Sequence, residues 1–92
     1  MIPVQDVMPD ALAAILRKAP LTADKVAFAW RSAVGAAVDK ATSTALRDGV
    51  LHVRARDAAW QREIERSAAV IRRRMESVLG PDVVRYIRVV VE

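Results

Sequence analysis

The sequence predicts a two-layer α+β fold, in which helices cover one face of a three-stranded sheet. Three observations support this prediction. The pair Asp48-Gly49 is typical of a two-residue hairpin turn, because both central positions of a type I′ turn need positive φ. The flanking residues alternate between apolar and polar, as half-buried strands do. Two helical segments precede the hairpin, and a helix and a strand follow it. The predicted order is helix-helix-strand-strand-helix-strand.

Two helices are predicted before the hairpin. The first covers residues 6–19, where apolar residues recur at helical spacing until Pro20. The second covers residues 22–40, and the hydroxyl of Thr22 can accept a hydrogen bond from its first turn. Gly35 lies inside the second helix and costs about 1 kcal/mol relative to alanine. We therefore expect either a close approach of another backbone at Gly35 or a kink.

The turn fixes the register of the hairpin, whose strands are predicted at residues 43–47 and 50–56. Arg47 then pairs with Val50, and Thr44 pairs with Val53. Because side chains alternate between the two faces of a strand, one face is predicted to be core and the other basic. The core set is Thr44, Leu46, Leu51 and Val53; the outer set is Ser43, Ala45, His52 and Arg54.

A long helix and a last strand complete the prediction. Asp57 is a plausible N-cap for a helix over residues 58–79, and Gly80 followed by Pro81 ends it. The apolar face of this helix comprises Trp60, Ile64, Ala68, Ile71, Met75 and Val78. Residues 83–91 are rich in β-branched side chains and predict a strand. Its inward side chains are Ile87, Val89 and Val91, and its outward side chains are Tyr86, Arg88 and Val90.

Composition limits the classes of function. With 92 residues we expect a single domain over residues 1–92, and the net charge of +4 favours polyanions or acidic partners. No apolar run reaches the roughly 20 residues that cross a bilayer, and no signal peptide is recognisable, so we expect a cytoplasmic protein without a membrane partner. One histidine, no cysteine and no phosphate-binding glycine loop predict a protein that is not an enzyme and holds no cofactor or metal.

The outer sheet face is the candidate nucleic-acid site. Guanidinium groups bind phosphates, and an aromatic ring can stack on a base. The predicted nucleic-acid-binding residues are Arg54, Arg56, Arg88, Tyr86 and His52. The alternative is a solvated face whose arginines discourage edge pairing.

The long helix carries a second candidate surface. Trp60 is either a core anchor or a partly exposed hot spot for a partner protein. Arg62, Arg66 and Arg73 lie nearly opposite the apolar face and form either a partner-binding stripe or a solvated surface. We expect Trp30, in the second helix, to lie in the core.

The joint order of several short motifs resembles the DciA family of bacterial proteins. The motifs are Trp30 with Gly35, Asp48-Gly49-x-Leu51-x-Val53, Trp60 with Glu63-Ile64, Leu79-Gly80 and Ile87-x-Val89. The resemblance implies a K-homology-like domain that binds the replicative helicase DnaB and single-stranded DNA and helps to load the helicase in DNA replication. The glycine loop with which K-homology domains clamp a nucleic-acid backbone is missing, since no glycine has another three positions later.

Two other classes of function stay open from the residues alone. One is a freestanding RNA-binding K-homology-like module. The other is a protein-interaction or oligomerisation domain whose open sheet face forms a weak homodimer.

Overall fold

The computed structural model describes residues 20–92 together with Ile15 and Lys18. The predicted first helix, residues 6–19, lies outside the described residues apart from those two positions. Within residues 20–92 the elements are α1 (Ala23–Val34), α2 (Ala36–Lys40), β1 (Thr42–Arg47), β2 (Val50–Ala55), α3 (Ala58–Arg66), α4 (Ala68–Leu79) and β3 (Tyr86–Val91). The α+β class is confirmed.

The sheet has the strand order β1-β2-β3, with β2 antiparallel to β1 and parallel to β3. The predicted hairpin register is confirmed, because Arg47 pairs with Val50 and Thr44 with Val53. Asp48 and Gly49 form the turn with φ of 51° and 78°. Two parallel strands need a long crossover connection, and α3 and α4 supply it.

The turn also contacts the chain that leads into β3. The carbonyl oxygen of Gly49 accepts hydrogen bonds from the backbone N–H of Arg85 at 2.7 Å and of Tyr86 at 3.2 Å. A Cβ on Gly49 would lie 3.2 Å from the Cδ of Arg85. Glycine at this position therefore serves both the positive φ of the turn and the close approach of the Arg85 side chain.

Gly35 divides the predicted second helix into α1 and α2, so the kink is the correct alternative. Its φ of 86° and ψ of 169° lie in a region that essentially only glycine adopts. The N–H of Gly35 donates to the carbonyl oxygen of Arg31 at 2.8 Å, and its own carbonyl accepts from Asp39 at 3.0 Å. The residue thus ends one helix and begins the next.

The predicted helix over residues 58–79 is likewise two helices, which meet at Ser67. Ser67 has φ −101° and ψ 6°, outside the α-helical values, and its N–H is shared between the carbonyl oxygens of Glu63 and Ile64. The predicted N-cap is confirmed, since the carboxylate of Asp57 accepts from the N–H of Trp60 at 3.0 Å. The apolar face continues across the break, with Ile64, Ile71, Met75 and Val78 all buried.

The core lies between the helices and one face of the sheet. Trp30 is 1% exposed, which confirms its predicted place. Its indole Nε1–H donates to the hydroxyl of Thr42 at 2.9 Å, and that hydroxyl donates to the carbonyl oxygen of Val38 at 2.8 Å. One hydrogen-bonded chain therefore joins α1, α2 and the start of β1.

A further contact holds two helices together. The guanidinium of Arg74 on α4 donates to the carbonyl oxygen of Ala33, in the last turn of α1, at 3.0 Å. A cation near the C-terminus of a helix interacts favourably with the negative end of the helix dipole. Among the described residues, none of the helices has the length and apolar character needed to cross a membrane.

Candidate nucleic-acid interface

The sheet face that points away from the helices is an array of nine side chains, which we call the outer face. Its three rows follow from the strand register, because residues that pair across the sheet lie side by side. The rows are Arg47, Val50 and Tyr86; Ala45, His52 and Arg88; and Ser43, Arg54 and Val90.

Within the described part of the chain, no other element covers the outer face. The opposite face of the same strands is buried under the helices, as the complete burial of Leu51 and Val53 shows. On the outer face Tyr86 is 69% exposed and Val90 47% exposed. Arg47, Arg54 and Arg88 are exposed, whereas His52 and Val50 are half-buried. The structure thus brings four of the five predicted site residues together on one uncovered surface.

The charge of the outer face has one sign. The nine positions include three arginines and no carboxylate. Arg54 and Arg88 lie in adjacent rows on neighbouring strands, a diagonal separation of about 8 Å between backbone positions. Guanidinium groups at this spacing on a face without carboxylates favour the binding of several phosphates of one strand.

Arg47 belongs to this face but was not among the predicted site residues. The sequence predicts this position, because side chains two residues apart on a strand point to the same face, and Arg47 follows Ser43 and Ala45 at that spacing. A shallow depression of about 340 Å³ runs across this part of the face. Its lining includes Ser43, Ala45, Arg47, His52, Arg54 and Val90.

Arg56, the fifth predicted residue, lies just beyond β2 and outside the array. Its backbone N–H donates to the carbonyl oxygen of Ala41 at 3.0 Å, which extends the pairing with β1 by one position. The side chain is exposed and lines a small depression together with Lys40 and Glu92. Arg56 therefore adds a positive charge at the rim of the outer face, where Glu92 partly offsets it.

The four predicted partner-binding residues lie on the helical layer. Trp60 is half-buried and packs against the core at the start of α3. Arg62 and Arg66 are exposed on α3, and Arg73 is exposed on α4 beyond the break at Ser67.

Arg66 has a partner of its own. Its Nη1 lies 3.4 Å from the Oε2 of Glu63, and both side chains are exposed. Such surface pairs contribute about 0–1 kcal/mol, so this one leaves the guanidinium available for other contacts. Among residues 20–92, Ile15 and Lys18, no group of three histidine or acidic side chains could hold a metal ion.

The fold and the candidate site define a class of protein: a small two-layer α+β module with one uncovered, basic sheet face. The chain belongs to the DciA family, because the family model described as "Dna[CI] antecedent, DciA" matches residues 3–89. This finding confirms the resemblance and associates the chain with loading of the replicative helicase. No curated protein matches the sequence at a significant level.

Proposed function

We propose that this chain is a noncatalytic adaptor that binds the replicative helicase DnaB, binds single-stranded DNA weakly and thereby assists helicase loading. The observation that supports this proposal most is the uncovered outer face, where Arg47, Arg54 and Arg88 surround His52 without a carboxylate among them. Family membership supports the helicase side of the proposal.

The proposed DNA contacts are directed to phosphates. Arg47, Arg54 and Arg88 on the outer face bind the backbone, and Arg56 adds a contact at its rim. The resulting affinity is independent of sequence and falls steeply with salt. Tyr86 is highly exposed and can stack on a base, which contributes about 1–3 kcal/mol. The binding is weak because the outer face offers one exposed tyrosine and half-buried His52 as its aromatic groups.

The proposed helicase contact lies on the helical layer, away from the outer face. Trp60 is half-buried at the start of α3, a setting in which tryptophan often acts as a hot spot. Arg62, Arg66 and Arg73 add exposed positive charges on α3 and α4. Separate surfaces allow the adaptor to bind helicase and DNA at the same time.

Two matched variants test this division. We expect Tyr86→Ala to weaken binding of a fluorescent oligo-dT by about 5- to 150-fold, which corresponds to one lost stacking contact, and to leave binding to the host's helicase unchanged. We expect Arg62→Ala with Arg66→Ala to weaken helicase binding and to leave the affinity for oligo-dT within about twofold. Both affinities are measured by fluorescence anisotropy, with and without the other partner. If both variants weaken both interactions equally, the two-surface proposal is wrong.

Two further measurements, oligo-U binding and light scattering, separate the alternatives. An RNA-binding module would bind oligo-U much more tightly than oligo-dT and would not bind the helicase. In a homodimer that forms through the outer face, Arg47, Arg54 and Arg88 of one copy would face the same arginines of the other. Repulsion between like charges opposes this arrangement. A mass that rises with protein concentration in light scattering would favour that alternative.

A further inference from the structure

The outer edge of β3 presents backbone groups that have no neighbouring strand. The N–H of Tyr86 donates to Gly49 and the N–H of Glu92 donates to Ala55, so the even-numbered amides of this segment point toward β2. Because backbone groups alternate in direction along a strand, the N–H and C=O groups of Ile87, Val89 and Val91 point away from the sheet.

Only part of this edge is covered by the described residues. The side-chain amide of Gln61 on α3 donates to the carbonyl oxygen of Val89 at 3.3 Å. This contact occupies one outward carbonyl oxygen in the second half of β3. No hydrogen bond within the described part of the chain occupies the outward N–H and C=O of Ile87. An open strand edge of this kind is a template for pairing with another chain.

A cleft lies beside Ile87. It has a volume of about 530 Å³ and separates the start of β3 from the first turns of α4. Val84, Ile87 and Ala68 form apolar parts of its lining and are buried or half-buried, and Ala69 adds another small side chain. The charged residues of the lining are Arg72, Arg85 and Asp82.

We propose that this β3–α4 cleft binds an extended acidic segment of a partner protein, which adds as a fourth strand along β3 at Ile87. The backbone of the segment pairs with the outward groups of Ile87, as in other cases of strand addition. Its alternate side chains enter the cleft, where the small side chains of Ala68 and Ala69 leave room. Two guanidinium groups against one carboxylate give the cleft a net positive charge, and this charge selects acidic side chains.

The proposal is separate from the proposed function. Arg72 and Arg85 belong neither to the outer face nor to the four helical residues assigned to the helicase. Tyr86 lines the cleft and also belongs to the outer face by its strand position, so the variants that test the cleft leave Tyr86 unchanged. Binding at the cleft and binding of DNA can therefore be measured independently.

The edge of β1 offers a weaker case. A groove of about 340 Å³ lies there between β1 and the start of α1, and its lining has no charged side chain. Leu21, Val26, Thr44 and Leu46 are among its lining residues. Because none of its lining residues is charged, the groove does not favour one kind of partner over another.

The test uses synthetic strand peptides and nuclear magnetic resonance of the labelled protein. The probes are short peptides with glutamate at alternate positions and valine, threonine or isoleucine between them. We expect chemical-shift changes at Arg72 and Arg85 and slower exchange of the Ile87 amide proton. Peptides with lysine in place of glutamate are the matched controls and should not bind.

Charge-reversal variants complete the test. Arg72→Glu should weaken binding of the acidic peptides at least about tenfold, the effect expected for one lost charge pair of 1.4 kcal/mol. Arg31→Glu reverses another exposed charge, on α1, and should leave peptide binding unchanged. Since Arg85 packs against Gly49, Arg72 is the safer position for this comparison. Arg72→Glu and Arg31→Glu should bind oligo-dT with equal affinity.

Three results would overturn the proposal. One is the absence of binding by every acidic peptide up to about 1 mM, a free energy of about −4 kcal/mol. Another is binding that shifts resonances of the outer face and leaves the Ile87 amide unprotected. The third is an Arg72→Glu variant that binds the acidic peptides as tightly as the unmodified protein.

Discussion

At the scale of single residues, the hydroxyl of Thr42 connects three elements. It accepts from the indole of Trp30 and donates to the carbonyl oxygen of Val38. The sequence predicts that Trp30 is buried, because it lies on the apolar stripe of its helix. It does not predict the partner of the indole, because Thr42 is twelve positions away and the break at Gly35 decides where it lies.

We expect Thr42→Val to lower the free energy of unfolding by about 1–3 kcal/mol, because the buried indole N–H of Trp30 loses its acceptor. The matched control is Thr44→Val. It makes the same change on the same face of β1, at a half-buried threonine whose side chain makes no hydrogen bond among the described residues. We expect that control to change stability by less than about 0.5 kcal/mol.

Urea denaturation followed by circular dichroism measures both variants, and an unchanged m-value shows that the same surface unfolds. Equal losses of stability in the two variants would mean that the Trp30–Thr42 hydrogen bond contributes nothing specific.

At the scale of elements, the register of the hairpin was predictable. The helix break at Ser67 was not, and the break at Gly35 was one of two alternatives. An Asp-Gly pair specifies its turn by local backbone chemistry, and the turn then sets the register. At Ser67 the apolar positions Ile64 and Ile71 are seven residues apart, so the pattern continues in phase through the break. At Gly35 the glycine indicates an irregularity in the helix, but the sequence does not distinguish a kink from a close approach of another backbone.

The two helices after the hairpin begin with different caps, and this gives a prediction. Asp57 accepts a hydrogen bond from the N–H of Trp60, whereas Ser67 makes no side-chain capping bond at the start of α4. We expect Asp57→Ala to cost about 1 kcal/mol of stability and Ser67→Ala to cost less than about 0.5 kcal/mol. Thermal and urea unfolding of the two variants provide the comparison. A larger loss for Ser67→Ala would contradict this account of the α3–α4 junction.

The candidate sites show the same division between local and long-range information. Alternation along the strands predicted the shared face of His52, Arg54, Tyr86 and Arg88, and the register confirms it. The same rule also places Arg47 on this face, beside the turn. The β3–α4 cleft could not be predicted, because it depends on which turn of α4 packs beside Ile87.

At the scale of the whole molecule, the two layers separate two kinds of surface. The helices and their half-buried Trp60 lie on one side of the sheet, and the uncovered basic face lies on the other. In the proposed function, single-stranded DNA binds to the sheet face and the helicase binds to the helical layer. We propose that the sheet face, rather than the arginines of the helices, binds the phosphates.

The salt dependence of oligo-dT binding tests this claim most directly. Each phosphate contact with a single strand contributes about 0.7 to the slope of log K against log salt concentration. We expect the triple variant Arg47→Ala, Arg54→Ala and Arg88→Ala to lower the magnitude of that slope by about 2. The control Arg31→Ala, which removes an exposed charge from α1, should keep the wild-type slope. A triple variant with the affinity and slope of the wild type would contradict the account, because the DNA would then bind elsewhere on the protein.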